Sequence, residues 1–211
     1  MFKPIIQKTR TLVSMAIINL ILVYWSFNSI IIEKSPNYNN KIQAAKIMEQ
    51  GLEVLKKHQE NRGIPVFKSI DPNSTGLIPK EESPIRSGNG RLAYKQATLK
   101  PNFAALIVDI LAEANISRGD TIAVCLTGSM PGANLALYSA SKAMGIHPVI
   151  ITSVAASTWG ATDPDLTWLD MEKILNENNI ISSSSIAASF GGKGDCLRKN
   201  GDVGGYIGRK V

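Results

Sequence analysis

Soft metal ligands are scarce in this sequence, which holds two cysteines and two histidines among 211 residues. Cys125 lies inside an apolar run and Cys196 in a glycine-rich tail. With only His58 and His147 beside them, no zinc or redox spacing can be assembled. Aromatic residues make up 6% of the chain, and the net charge of +6 is spread thinly, adjacent basic pairs such as Lys56-Lys57 and Arg209-Lys210 standing far apart. The clustered basic face on which nucleic-acid binding rests is therefore missing. Charged residues at 19% and hydrophobic residues at 44% also exclude a disordered chain and a polytopic membrane protein. What is left is one compact domain of roughly 140 to 180 residues, with no cofactor expected.

What is present begins with a charge-free stretch, TLVSMAIINLILVYWSFNSIII, at residues 11–32. As a helix these 22 residues would span about 33 Å, against a hydrocarbon core of about 30 Å. A cleavable signal peptide would want a shorter apolar region and small residues at its end, whereas this one ends SFNSIIIEK. The expectation is a single-pass anchor in the cell membrane, with a buried core helix as a further alternative. Lys3, Lys8 and Arg10 precede it as a tight cluster, and Lys34, Lys41 and Lys46 follow more loosely. That asymmetry points to a cytoplasmic amino terminus and an extracytoplasmic domain.

The expected organisation is a basic tail at 1–10, the anchor at 11–32, an amphipathic stem helix at 33–62 and an α/β domain at 63–211 whose tail, 193–211, is irregular. Ile42, Ala45, Met48, Leu52 and Leu55 recur at helical spacing in the stem. Prolines and glycines break up Asn61 to Lys100. A helix is then read from Pro101 to Ala114, a buried strand from Thr121 to Leu126, a helix from Ala133 to a C-cap at Gly145, and a second buried strand from Pro148 to Val154. Asp163-Pro164 reads as an N-cap and first helical residue opening a helix to about Asn178, and Ile180-Ile181 as the start of a third strand. This alternation predicts an open, mostly parallel, Rossmann-like sheet.

In such a sheet, ligands bind beyond the carboxyl ends of the strands. Three loops rich in small polar residues would meet there. The first, an elbow, carries Thr127, Gly128, Ser129 and Gly132; the second carries Ser157, Thr158, Trp159 and Gly160; the third carries Gly191 and Gly192. Free N–H groups at helix starts favour anions, so a carboxylate or phosphate site is expected, although strand-to-helix turns favour these residue types in any protein. Ser129 and Asp163 are the catalytic candidates, and Asp195 lies at the same edge. His147 falls at the opposite edge, so no Ser-His pair is expected. Ser139-Ala-Ser-Lys142 matches S-x-x-K but lies inside a helix. Asp71, Asn73, Thr75 and Glu82 match calcium-loop positions around Gly76, yet Pro79 and Pro84 spoil the flanking helix, and an Asx turn is the competing reading.

DPNSTGLI (71–78), TGSMPGANLA (127–136), SVAASTWGATDPDLTWLDME (153–172) and SIAASFGGKGD (185–195), together with the anchor, resemble the poly-gamma-glutamate system protein family. Pro79 and Met130 depart from its pattern, and the glycine-rich basic end makes the carboxyl terminus look truncated. The resemblance implies a pathway and not a reaction: synthesis or export of poly-gamma-glutamate, with the polymer or the synthase and export subunits as partners. Two alternatives stay open, a gamma-glutamyl hydrolase or transferase acting at the same crevice, and a purely structural partner-binding module.

Overall fold

The computed structural model describes residues 8–29, 33–78, 83–192 and 195, and the chain divides into two units, Met1–Pro36 and Asn37–Val211. The first unit contains α1 (Thr9–Asn28), whose residues bury nothing and whose length and apolarity suffice to cross a membrane. Its 20 residues give about 30 Å of helix, one hydrocarbon thickness.

The second unit is a mixed α/β domain. Its elements are α2 (Tyr38–Asn61), β1 (Arg86–Gly88), α3 (Leu92–Ala97), α4 (Asn102–Glu113), β2 (Thr121–Thr127), α5 (Pro131–Met144), β3 (His147–Ser153), β4 (Ala156–Ser157), α6 (Trp168–Glu177) and β5 (Ala187–Ser189). Among the described residues two small parallel sheets result, one ordered β2-β3-β5 and the other β1-β4. Thr121 to Thr127 pair in register with His147 to Ser153, so both strands end at the same edge. Pro131 opens α5, where its missing N–H costs nothing, and Gly145 closes it with φ 70°.

Four expectations are corrected. The stem helix is a wall of the domain: Ala44, Met48, Leu52 and Leu55 of α2 are buried in one cluster with Val108 of α4 and Leu135 of α5. A one-sided apolar stripe fits either role, and here the stripe finds a core partner. The helix expected at Asp163 starts at Trp168, because Thr167 and Asp170 form a reciprocal capping box; such a cap contributes about 1 kcal/mol. The third strand is Ala187–Ser189, since Asn179 turns left-handed (φ 59°) and Ile180 bonds back to Leu175 as the tail of α6. Finally, the described residues cover the parallel sheet on one face only. Ile122, Val124 and Leu126 face the core and Ile150 is fully buried, while Ala123, Cys125, Val149 and Ile151 are exposed. Because both faces carry apolar residues, their sequence could not tell a covered face from an open one.

Candidate functional site

The elbow and the second loop meet where β2 and β3 end. Gly128 N–H donates to Ser153 O (3.0 Å), Ala161 N–H to Gly128 O (2.7 Å) and Ser157 N–H to Ser129 Oγ (3.0 Å). Thr127 Oγ1 lies 3.2 Å from Ser129 Oγ, and Asn134 Nδ2 of α5 donates to Thr127 O at 2.9 Å. The second loop is a tight turn closed by Gly160 N–H to Ser157 O (3.0 Å), with Trp159 at φ 64° in the position that usually takes glycine. A bulky residue held there is strained by about 1–3 kcal/mol, and such strain clusters at functional sites. The Trp159 ring is half-buried against the main core.

A third element, unforeseen from sequence, completes the site. Pairing of β1 with β4 sets Gly88 beside Ser157, and the chain turns through Gly90 into α3. Gly90 and Thr158 bond to each other through Gly90 N–H, Gly90 O and the Thr158 hydroxyl. One turn into α3, Lys95 sends its ammonium back over the second loop, 2.8 Å from Ser157 Oγ and in contact with Ser129 O. Gly90 makes the room: a Cβ there would lie 3.0 Å from both Lys95 Cε and Ser157 Oγ. Lys95 is only 4% exposed, and no carboxylate among the described residues pairs with it. A buried unpaired ammonium is unfavourable, and burial accordingly lowers the Lys95 pKa from the ordinary lysine value. Buried lysine, two serine hydroxyls and a threonine hydroxyl thus converge, with no acid among them in the described residues.

The other predicted residues distribute as follows. Gly128, Gly132, Thr158 and Gly160 are buried, and the absent side chains serve packing between loops: a Cβ on Gly132 would lie 2.6 Å from Thr98 O, and one on Gly160 2.9 Å from Ser129 Cα. The start of α5 is therefore covered by the end of α3 at Gly132. Gly191, beside Ser153 and Ala155, donates its N–H to Asp195 Oδ1 (2.6 Å), and Gly192 is exposed. Asp163 pairs with Arg62 (2.9 Å) and accepts from Asp165 N–H (2.9 Å), so it is a local organiser and no helix cap. Asp71 Oδ2 accepts from Thr75 Oγ1 and Gly76 N–H, both at 2.8 Å, so the carboxylate fastens the loop from four and five residues away instead of making the i to i+2 bond of an Asx turn; Asn73 lines a nearby surface cleft, and Glu82 lies outside the described residues. Ser139 donates to Leu135 O inside α5 while Lys142 donates to Asn179 O and Ile180 O, which separates the two ends of the S-x-x-K match.

A polar cleft of about 700 Å3, lined by Asn40, Asn115, Arg118 and Lys142 among others, lies near the amino-terminal end of β2, away from the elbow. It holds amides, cations and the Ser117 hydroxyl, but its lysine, Lys142, is turned to the carbonyls of Asn179 and Ile180, so the chemistry singles out the Lys95 cluster. Comparison of the chain with protein-family models, characterised proteins and solved structures returns no match.

Proposed function

We propose that this chain is a membrane-anchored accessory protein of poly-gamma-glutamate synthesis or export, engaging the polymer, or the synthase that carries it, at the cluster formed by the elbow, the 157–161 turn and α3. In this reading α1 crosses the bilayer once with Lys8 and Arg10 on the cytoplasmic side, and the domain, an open Rossmann-like arrangement, faces outward. The observation that carries it is the convergence of Thr127, Ser129, Ser157 and Lys95 near the carboxyl ends of β2 and β3, with no carboxylate bonded to them among the described residues. A polymer bearing one carboxylate per residue meets hydroxyl donors and a basic nitrogen there.

The test is retention of the full chain, held in lipid nanodiscs, on immobilised poly-gamma-glutamate. Retention should fall at least tenfold when Ser129 and Ser157 are both changed to alanine. Undiminished retention in that variant, or none in the parent chain, sinks the reading.

A further inference from the structure

We propose that Ser157 and Lys95 are the nucleophile and general base of an acyl-transfer site, and that the bond they cleave is the gamma-glutamyl amide. The nucleophile and base stand on geometry alone; the choice of amide rests on the polymer reading above.

Three features separate this pair from an ordinary structural lysine. The Nζ···Oγ distance of 2.8 Å is a direct hydrogen bond, the first requirement for proton transfer. A lysine kept as a strut between loops would normally reach water or a carboxylate, yet Lys95 is 4% exposed and its partners are the Ser157 hydroxyl and the Ser129 carbonyl. Lys95 Nζ donates to both Ser129 O and Ser157 Oγ; in the neutral amine the bond to Ser129 O still aims the nitrogen, and its lone pair is free to accept the Ser157 O–H. Burial, which disfavours the ammonium, supplies that neutral form nearer to physiological pH. Ser157 itself is half-buried at the end of β4, and its backbone is fixed on both sides, by its N–H to Ser129 Oγ and by its carbonyl to Gly160 N–H. Ser129 is thus a positioning residue, holding the base through its carbonyl and the nucleophile through its hydroxyl. Serine with lysine is a known alternative to the serine-histidine pair, and the two aspartates expected at this edge, Asp163 and Asp195, are engaged elsewhere.

The chemistry balances without a metal or an oxidant. Lys95 takes the Ser157 proton as Oγ bonds to the γ-carbonyl carbon. The adduct collapses with rupture of the carbon–nitrogen bond, and the Lys95 ammonium returns the proton to the departing amine. Ser157 is then an ester of the γ-carboxyl group. Water next gives a proton to Lys95 while its oxygen bonds to the same carbon; the carbon–Oγ bond breaks, Lys95 reprotonates Ser157, and a free γ-carboxyl is released. An amine from a second chain in place of water would give transfer.

The experiment treats the full chain in nanodiscs with an alkyl fluorophosphonate, which phosphonylates activated serines, and locates the adduct by peptide mass spectrometry. One adduct on Ser157 is expected. It should be absent in Ser157→Ala and form on the order of 10²–10⁴-fold more slowly in Lys95→Met, with thermal melts confirming that both variants are folded. No adduct on Ser157, or a Lys95→Met rate equal to that of the parent in a folded protein, overturns the proposal. A second arm follows the length of added poly-gamma-glutamate: shortening that stops in Ser157→Ala supports the amide assignment. Labelled protein that leaves the polymer intact overturns that assignment alone.

Discussion

Lys95 Nζ stands 2.8 Å from Ser157 Oγ although 62 residues separate them in the chain. A base acts only when unprotonated, and burial moves the Lys95 pKa below the ordinary lysine value of about 10.4. Fluorophosphonate labelling of Ser157 should therefore rise with pH and level off below pH of about 10.4, and the rise should vanish in Lys95→Met. Stability carries the same sign. Between the folded and unfolded pKa values the unfolded chain binds more protons, so the free energy of unfolding grows as pH rises through that window. Below it, both states are protonated and the cost of burying the charge is felt in full. The difference in stability between parent and Lys95→Met, followed by denaturant melts across the window, should show that slope.

The pair depends on an absent side chain. At Gly90 a Cβ would meet Thr158 O at 2.5 Å besides crowding Lys95 and Ser157, and the backbone oxygen cannot swing away as a side chain would. Gly90→Ala should cost about 1–3 kcal/mol and slow the labelling of Ser157. Gly88→Ala is the control, since a Cβ at that position would meet nothing within 4 Å and the backbone there is not left-handed. Its stability should change by less than about 1 kcal/mol.

How much of this was legible in the sequence follows from where each signal lies. Pro131 and Gly145 bracket α5 because helix ends have local chemistry, and the apolar runs of β2 and β3 report strands for the same reason. The elbow serine could be read as a site residue from its place after a strand. Ser157 could be placed in a neighbouring loop, but Lys95 and Gly90 could not be read at all: α3 is six residues long, too short for a periodic signal, and β1 and β4 contribute three and two residues. In sequence, Lys95 is indistinguishable from any solvated lysine in an irregular stretch. The serine-lysine motif visible in sequence, Ser139 to Lys142, is local and is pulled apart by its own helix. Contact between distant residues needs the fold, and the one-sided burial of the sheet was hidden for the same reason.

A second buried network holds α5, α6 and β3 together. Tyr138 O–H donates to Glu172 Oε2 at 2.8 Å, the Ser185 hydroxyl donates to the same oxygen at 2.8 Å, and Ser185 N–H donates to Glu172 Oε1. Ser185 Oγ in turn lies 2.7 Å from Thr152 Oγ1. Burial first, and the Glu172 charge second, raise the Tyr138 pKa, so the phenol keeps its proton beyond the ordinary tyrosine range. Tyr138→Phe should cost about 1.5–3 kcal/mol, the worth of a hydrogen bond to a charged acceptor. Glu172→Ala should cost more, because it orphans donors on both Tyr138 and Ser185. Urea melts of the two variants check the order.

At Asp71 the carboxylate accepts from Thr75 Oγ1 and Gly76 N–H, and a Cβ on Gly76 would lie 3.0 Å from Gln59 Cγ, so the turn is fastened against α2. Gln59 Nε2 adds a bond to Gly76 O at 3.1 Å. Asp71→Ala leaves a buried N–H without its acceptor and should cost about 1–3 kcal/mol. If the turn is structural, that loss is the same in calcium and in chelator, and the parent melts at one temperature in both. A calcium-dependent rise in melting temperature that Asp71→Ala abolishes would reinstate the ion-binding loop.

Adjacent isoleucines of β3 give the cleanest measure of the one-sided sheet. Ile150 is 0% exposed and lies in the main core cluster, whereas Ile151 points the other way and is 47% exposed. Ile150→Ala removes buried methyl groups and leaves a cavity, which should cost about 2–5 kcal/mol. Ile151→Ala loses only the part of its surface that is already shielded, so its cost should be well under half of that. Their intrinsic strand preferences are identical because the residue type is the same, which leaves burial as the difference. Equal losses in the two variants would mean that the second face is covered in solution, and the open-face description of the sheet would have to be withdrawn.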